Sequence, residues 1–359
     1  MRGTRHGGMR GPRRALLAAA LAAALLGAAG CGSGNGPPPN SGSAIASLGD
    51  SVASGEGNPS PRGPRWENRA CHRSPIAGQT IAAKRAQQER PELGFFDYAC
   101  SGASIPKGLL GPYRGIEPTI LQPARPQIDQ LGDAAAITRP SGGLAAVMIS
   151  IGANDVGFSK VFKFCALVKR CWEQHFNPDF PYAVASDRYP TLQQFVDSGL
   201  GELPERFNRL DAALGPLLPP QRVILVDYFD PTTGADGAYC TMLFGGVTTD
   251  ESRWAQQHVL EPLNDQIEAS AEDHEWSVVP GVAERFRGHG LCAPQSQRWV
   301  RTLGEGLSGQ PLPLTGVGIG FGQIQDVIGS TAGTLHPNGE GQRQIALLID
   351  PVLAKVLSQ

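Results

Sequence analysis

At 359 residues, with 41% hydrophobic side chains and only 7% aromatic ones, the chain is long enough to bury a sizeable, mostly aliphatic core. Its formal charge is −2; without residues 1–30, which hold five arginines and no acids, 26 basic residues face 33 acidic ones, a balance of −7. Phosphate binding needs a basic excess, so nucleic acid is not an expected partner.

The first thirty residues read as an export signal: Arg2, Arg5, Arg10, Arg13 and Arg14 precede the apolar run Ala15 to Gly30 and a small-residue boundary at Cys31. Sixteen apolar positions fall short of the roughly 20 that span a bilayer as a helix. The boundary "AAGC" resembles a bacterial lipoprotein signal, which implies lipidation of Cys31 and a membrane tether, although Ala28 stands where a larger aliphatic residue is common. Simple secretion is the alternative. Residues 31–43, rich in Gly, Pro and Ser, cannot build a core and read as a linker, which leaves residues 44–359 as the folded domain.

Within that domain the strand candidates are "AIASLG" at 44, "LGFFDYA" at 93, "LAAVMISIG" at 144, "RVILVDYF" at 222 and "WSVVP" at 276. Nearly continuous apolar runs suit central parallel strands covered on both faces. Between them lie helical patterns. Leu203, Phe207, Leu210 and Leu214 form a stripe that Pro204 is placed to open, another helix covers 250–273, and a last one starts after Asn338 with Ile345, Leu348, Ile349, Val352 and Val356 on one side. The alternation predicts a single α/β domain, doubly wound on a central, mostly parallel sheet. Segments 101–125, 157–190 and 281–335 are rich in Gly and Pro, lack a clear period and read as functional loops.

Seven cysteines less Cys31 leave Cys71, Cys100, Cys165, Cys171, Cys240 and Cys292. An even number in an exported chain points to disulfides, and the residues alone allow 15 pairings. A zinc site is the rival reading, but neither CxxC nor HExxH spacing occurs, and no metal is expected.

In a parallel sheet reactive groups gather at the carboxyl ends of strands. Three polar interruptions fall there: "GDS" at 49–51, "CSGAS" at 100–104 and "GANDVGF" at 152–158. Gly49 lets the chain leave the strand, Asp50 can bond the turn, and Ser51 stands at the mouth of the sheet. Taken alone, Gly-Asp-Ser is equally well an ordinary helix cap.

"GDSVASGEG", Gly102 in "ACSGAS", "GANDVGF" and "TLHPNGEGQ" match, in order, the four blocks of the SGNH, or GDSL-type, hydrolases, over residues 44 to about 357. "ACHRSPIAGQ" and the six mature cysteines look like the family's secreted actinobacterial lipase and esterase branch. The resemblance implies the family's flavodoxin-like fold, Ser51 as nucleophile and His336 as general base. It also implies an oxyanion hole made by the N–H groups of Ser51 and Gly102 and the amide of Asn154. Sequential pairing follows from it too: Cys71 with Cys100, Cys165 with Cys171, Cys240 with Cys292. The family commonly has an aspartate three residues before the histidine, where this chain has Gly333. The expectation is therefore a Ser51 and His336 dyad whose ring is held by the main-chain oxygen of Gly333 or a neighbour, with Asp326, ten residues upstream, and Asp350, in the last helix, as the acids weighed against it.

These residue types suit the chemistry. A serine hydroxyl needs a neighbouring base, His titrates near neutrality, and an Asn amide supplies a fixed neutral donor to an oxyanion. "GEGLSG" at 304 fits GxGxxG but precedes "QPLPL" rather than a helix, and no GxSxG occurs. The expectation is an exported, monomeric, cofactor-free carboxylic-ester hydrolase acting on a lipid-like ester. A polysaccharide O-acetyl esterase is the alternative within the class. Outside it stands a non-catalytic lipid- or glycan-binding surface lipoprotein on the same scaffold.

Overall fold

The computed structural model describes residues 42–59, 66–116, 123–179, 190–241, 246–307 and 333–359, besides Met1 and Gly3. Cys31, the export signal, nearly all of the linker and Asp326 lie outside the described residues. The chain separates into two units, Met1–Gly34 and Asn35–Gln359, and every element below belongs to the second.

Five parallel strands form one sheet: β1 (Ala44–Gly49), β2 (Gly94–Asp97), β3 (Leu144–Ser150), β4 (Val223–Val226) and β5 (Ser277–Val279), in the order β2-β1-β3-β4-β5. All residues of β1, β3 and β4 are buried, which accounts for their continuous apolar runs. The helices are α1 (Ser51–Ser54), α2 (Gly78–Glu89), α3 (Gln127–Thr138), α4 (Phe158–Cys165), α5 (Leu192–Leu214), α6 (Thr249–Ala255), α7 (Glu261–Asp273), α8 (Val282–Phe286), α9 (Leu303–Leu307) and α10 (Gly339–Leu357). A single π-type turn, Gln256–Leu260, joins α6 to α7. Helix α2 packs on α10, and α5 on α7.

The strand order reverses between β1 and β3, so the crevice of this doubly wound sheet opens beyond their carboxyl ends. Gly49 stands opposite Ser150 in the parallel register. It leaves the strand at φ 128°, and a Cβ there would fall 2.1 Å from the Ser150 oxygen, so only glycine fits.

Two sequence expectations need correction. Pro204 does not open a helix: α5 starts at Leu192, capped by the Thr191 hydroxyl, and carries Pro204 inside it. Leu192 and Val196, both fully buried, extend the apolar stripe one turn after another ahead of Pro204. That burial offsets the roughly 3 kcal/mol of an internal proline. The stretch expected to be irregular at 157–190 contains α4, and 281–335 contains α8 and α9. Asn338 does cap α10, accepting from the N–H groups of Glu340 and Gly341 at 3.0 Å each.

The disulfides are Cys71–Cys100, Cys165–Cys171 and Cys240–Cys292, the sequential pairing. No described helix is long and apolar enough to cross a membrane.

Candidate active site

Ser51 opens α1 directly after β1. Asp50 caps that short helix, accepting from the Val52 N–H at 2.9 Å, and Gly55 closes it in the left-handed conformation. The Gln127 side chain on α3 accepts from the Gly49 N–H at 2.8 Å and donates to the Gly49 oxygen at 2.9 Å. Both peptide groups flanking Gly49 are therefore held by one side chain distant in sequence.

Ser51, Asn154 and His336 line one pocket, with Phe158, Tyr228, Phe229, Val259, Leu260, Leu263 and Leu335 among its walls. It encloses about 590 Å³, its open mouth included. Asn154 follows β3, and its amide donates to the Ala103 oxygen at 2.8 Å; the second N–H of the amide is not used by that bond.

Gly102 does not line this pocket. It sits at φ 82°, where a Cβ would meet the Tyr113 hydroxyl at 2.3 Å. Its neighbours hold it beside the site: Ala103 through Asn154, and Ser101 through its hydroxyl, 2.9 Å from that of Ser54.

His336 lies before α10, half-buried. Its Nδ1 is 3.0 Å from the Thr334 oxygen. The preceding Leu335 adopts φ 63°, uncommon for a branched side chain, and is held there by Arg301: the Leu335 N–H donates to the Arg301 oxygen at 3.0 Å and the Arg301 N–H to the His336 oxygen at 2.9 Å. Gly57 and Gly333 bring the two loops into backbone contact; a Cβ on Gly333 would lie 2.2 Å from the Gly57 Cα. Burial, with the Arg301 charge, holds the imidazole below its ordinary pKa of 6.5, opposed by the Glu56 charge and the Thr334 carbonyl.

Three residues with no part in the sequence reading support the site. Glu56 is buried and meets His72 Nδ1 at 2.9 Å and the Ser101 hydroxyl, so it joins the α1 turn to the loop carrying Gly102. Burial pushes its carboxyl up, but the hydrogen bond and charge of His72, with the His336 charge and Ser101, hold it below the usual range. His72 is thus buried under the stacked Trp66 ring. His289 stacks on Trp299, outside the pocket lining. Asp155 accepts from the Ile105 N–H at 3.1 Å and from Arg206 at 2.7 Å, tying the Gly102 loop to α5. The third, Tyr228, accepts from the Ala153 N–H at 3.1 Å and donates to Asp50 at 2.5 Å. Its only sequence signal is its place just past a strand end.

Among the described residues no group of three or more His, Cys, Asp or Glu side chains could hold a metal ion.

A five-stranded parallel sheet of this order, with serine, asparagine and histidine at its switch point, defines a doubly wound α/β protein of the SGNH hydrolase fold. The GDSL-like Lipase/Acylhydrolase family model matches residues 47–344, and the chain belongs to that family of ester hydrolases. Among solved structures it is similar to phospholipase A1 from Streptomyces albidoflavus NA297, at 21% identity and a TM-score of 0.53, covering 88% of this chain and 99% of that one. It also matches a lipase/acylhydrolase from Enterococcus faecalis at 12% identity, with a TM-score of 0.38 and coverage of 88% and 96%. A mutant of the acetyl-xylooligosaccharide esterase Axe2 from Geobacillus stearmophilus matches at 14% identity, with a TM-score of 0.39 and coverage of 88% and 95%. No curated protein matches the chain.

Proposed function

We propose that this protein is an exported serine carboxylic-ester hydrolase, with Ser51 as nucleophile and His336 as general base, acting on lipid-like acyl esters. The observation that carries the reading is the joint lining of one largely apolar pocket by Ser51, Asn154 and His336 at the switch point of the sheet. His336 takes the Ser51 proton as the hydroxyl oxygen attacks the ester carbonyl. The N–H groups of Ser51 and Gly102 and the Asn154 amide receive the oxyanion. The alcohol leaves with the proton from His336, and water repeats the sequence on the acyl-enzyme.

Phe158, Phe229, Val259, Leu260 and Leu263 in the wall support an acyl chain over an acetyl group. The membrane-proximal setting follows the same reading: residues 1–30 direct export, Cys31 carries a lipid and 31–43 form a tether to the hydrolase domain at 44–359. The domain acts as a monomer.

A fluorophosphonate probe should label Ser51, and Ser51→Ala or His336→Ala should bring hydrolysis to background in a folded protein. Comparable turnover by folded Ser51→Ala protein would refute the assignment. Rates across esters of rising acyl length, beside a phospholipid and an acetylated sugar, test the substrate class, and preference for the acetylated sugar would reverse it.

A further inference from the structure

We propose that Tyr228 is a positioning residue whose single phenolic oxygen sets the spacing between the Ser51 turn and the Asn154 turn. The inference rests on the ester-hydrolase reading of those two residues. Tyr228 lies two positions past β4, and since Ile149 pairs with Leu225 in the parallel register, it comes level with the turn that follows β3. The backbone of Tyr228 is clamped by one side chain. Its N–H donates to Asn264 Oδ1 at 2.9 Å, and its carbonyl accepts from Asn264 Nδ2 at 2.9 Å.

From that fixed base the phenol reaches the two residues that immediately precede the proposed catalytic groups. The Ala153 N–H can only donate, so Oη accepts from it at 3.1 Å, and the one phenolic proton goes to Asp50 Oδ2 at 2.5 Å. The second Asp50 oxygen accepts from Val52. The chain of contacts therefore runs from the turn holding Asn154, through one oxygen, to the turn holding Ser51. Tyr228 and Asp50 are both buried. Oxyanion donors act over a window of about 2.7–3.1 Å, so a small drift of one turn against the other removes most of their effect.

Tyr228→Phe deletes only this oxygen and leaves the ring in the pocket wall. With active sites counted by fluorophosphonate titration, kcat per titrated site should fall about 10- to 100-fold while KM stays within about threefold. In an Asn154→Ala background, where the oxyanion donor is already gone, the same substitution should cost less than about threefold. A merely structural role would lower Tm and the titratable fraction and leave kcat per site unchanged. Asp50→Ala removes the acceptor on the other side of the link and, if Tyr228→Phe is recovered unfolded, is read in the same two backgrounds. An unchanged kcat per site, or an equal loss with and without Asn154, overturns the inference while Ser51 labelling leaves the hydrolase reading standing. A wild-type protein that neither hydrolyses esters nor takes the label overturns both.

Discussion

The Nδ1 of His336 lies 3.0 Å from the main-chain oxygen of Thr334, two residues back in the same loop. A carbonyl can only accept, so this contact puts the proton on Nδ1 and leaves Nε2 as the basic nitrogen. The expectation that a carbonyl of Gly333 or a neighbour orients the ring is met by Thr334.

Asp350 is placed elsewhere, on α10, where it accepts from Arg85 of α2 at 2.7 Å. Asp350→Asn is expected to leave kcat within about tenfold, against about 10⁴ for loss of a triad aspartate in the serine-protease case. Its stability cost should be below about 1 kcal/mol, because the pair is about one-third exposed and screened by solvent. The same kinetic measurement on Asp326→Asn tests the acid outside the described residues, and a 10⁴-fold loss there would supply the missing carboxylate.

The depressed pKa of His336 sets the acid limb of activity. The base acts when neutral, so kcat/KM should rise with pH, with its midpoint below 6.5. The Glu56 charge opposes that depression, so Glu56→Gln should move the limb further toward acid. A pH–rate profile with its midpoint above 6.5, or a shift toward base in Glu56→Gln, contradicts this.

How much of this was legible in the sequence differs by residue. The "AIASLG" run predicts a strand covered on both faces, and β1 is buried throughout, because hydrophobic patterning is a local property of the chain. The start of α5 was not legible, since Pro204 is a strong local signal overridden by the packing of Leu192 and Val196. Ser51, Asn154 and His336 could be named because the short blocks that hold them resemble, in order, those of the SGNH hydrolases. Tyr228 and Glu56 could not. The first reaches a partner 178 positions away and the second bonds His72 and Ser101, pairings that exist only once the sheet has set strand order and register.

Burial pushes the Asp50 carboxyl up from 3.8 to about 7, against the downward pull of the Tyr228 and Val52 hydrogen bonds. An acid raised on folding contributes stability that is full below its unfolded pKa and is lost as pH rises through its folded pKa. Between pH 5 and pH 8 this one group should therefore cost the folded state about 2 to 3 kcal/mol. Asp50→Asn should shrink the wild-type difference in unfolding free energy between those two pH values by that amount. Any penalty of the substitution that does not depend on pH cancels in the comparison. Urea unfolding at both pH values is the measurement, and an equal pH difference in the two proteins would remove Asp50 as a titrating group in this range.

The three disulfides should differ both in stability and in their reach to the site. They join residues 29, 6 and 52 positions apart, for Cys71–Cys100, Cys165–Cys171 and Cys240–Cys292. Loop-closure entropy then gives about 3.5, 2 and 4 kcal/mol respectively. The first differs from the second in what it anchors. Cys71 accepts the Ser101 N–H at 3.1 Å through its main-chain oxygen, and Ser101 is the residue before Gly102. Cys165–Cys171 closes the C-terminal end of α4. Replacing both members of a pair with serine should thus lower unfolding free energy in every case, whereas only the Cys71, Cys100 double variant, compared with Cys165, Cys171, should lower kcat in the protein that remains folded. Urea unfolding and kinetics on the same samples separate the two effects. A folded Cys71, Cys100 variant with wild-type kcat would mean that Glu56 and Ser54 alone hold Ser101, and with it Gly102, in place.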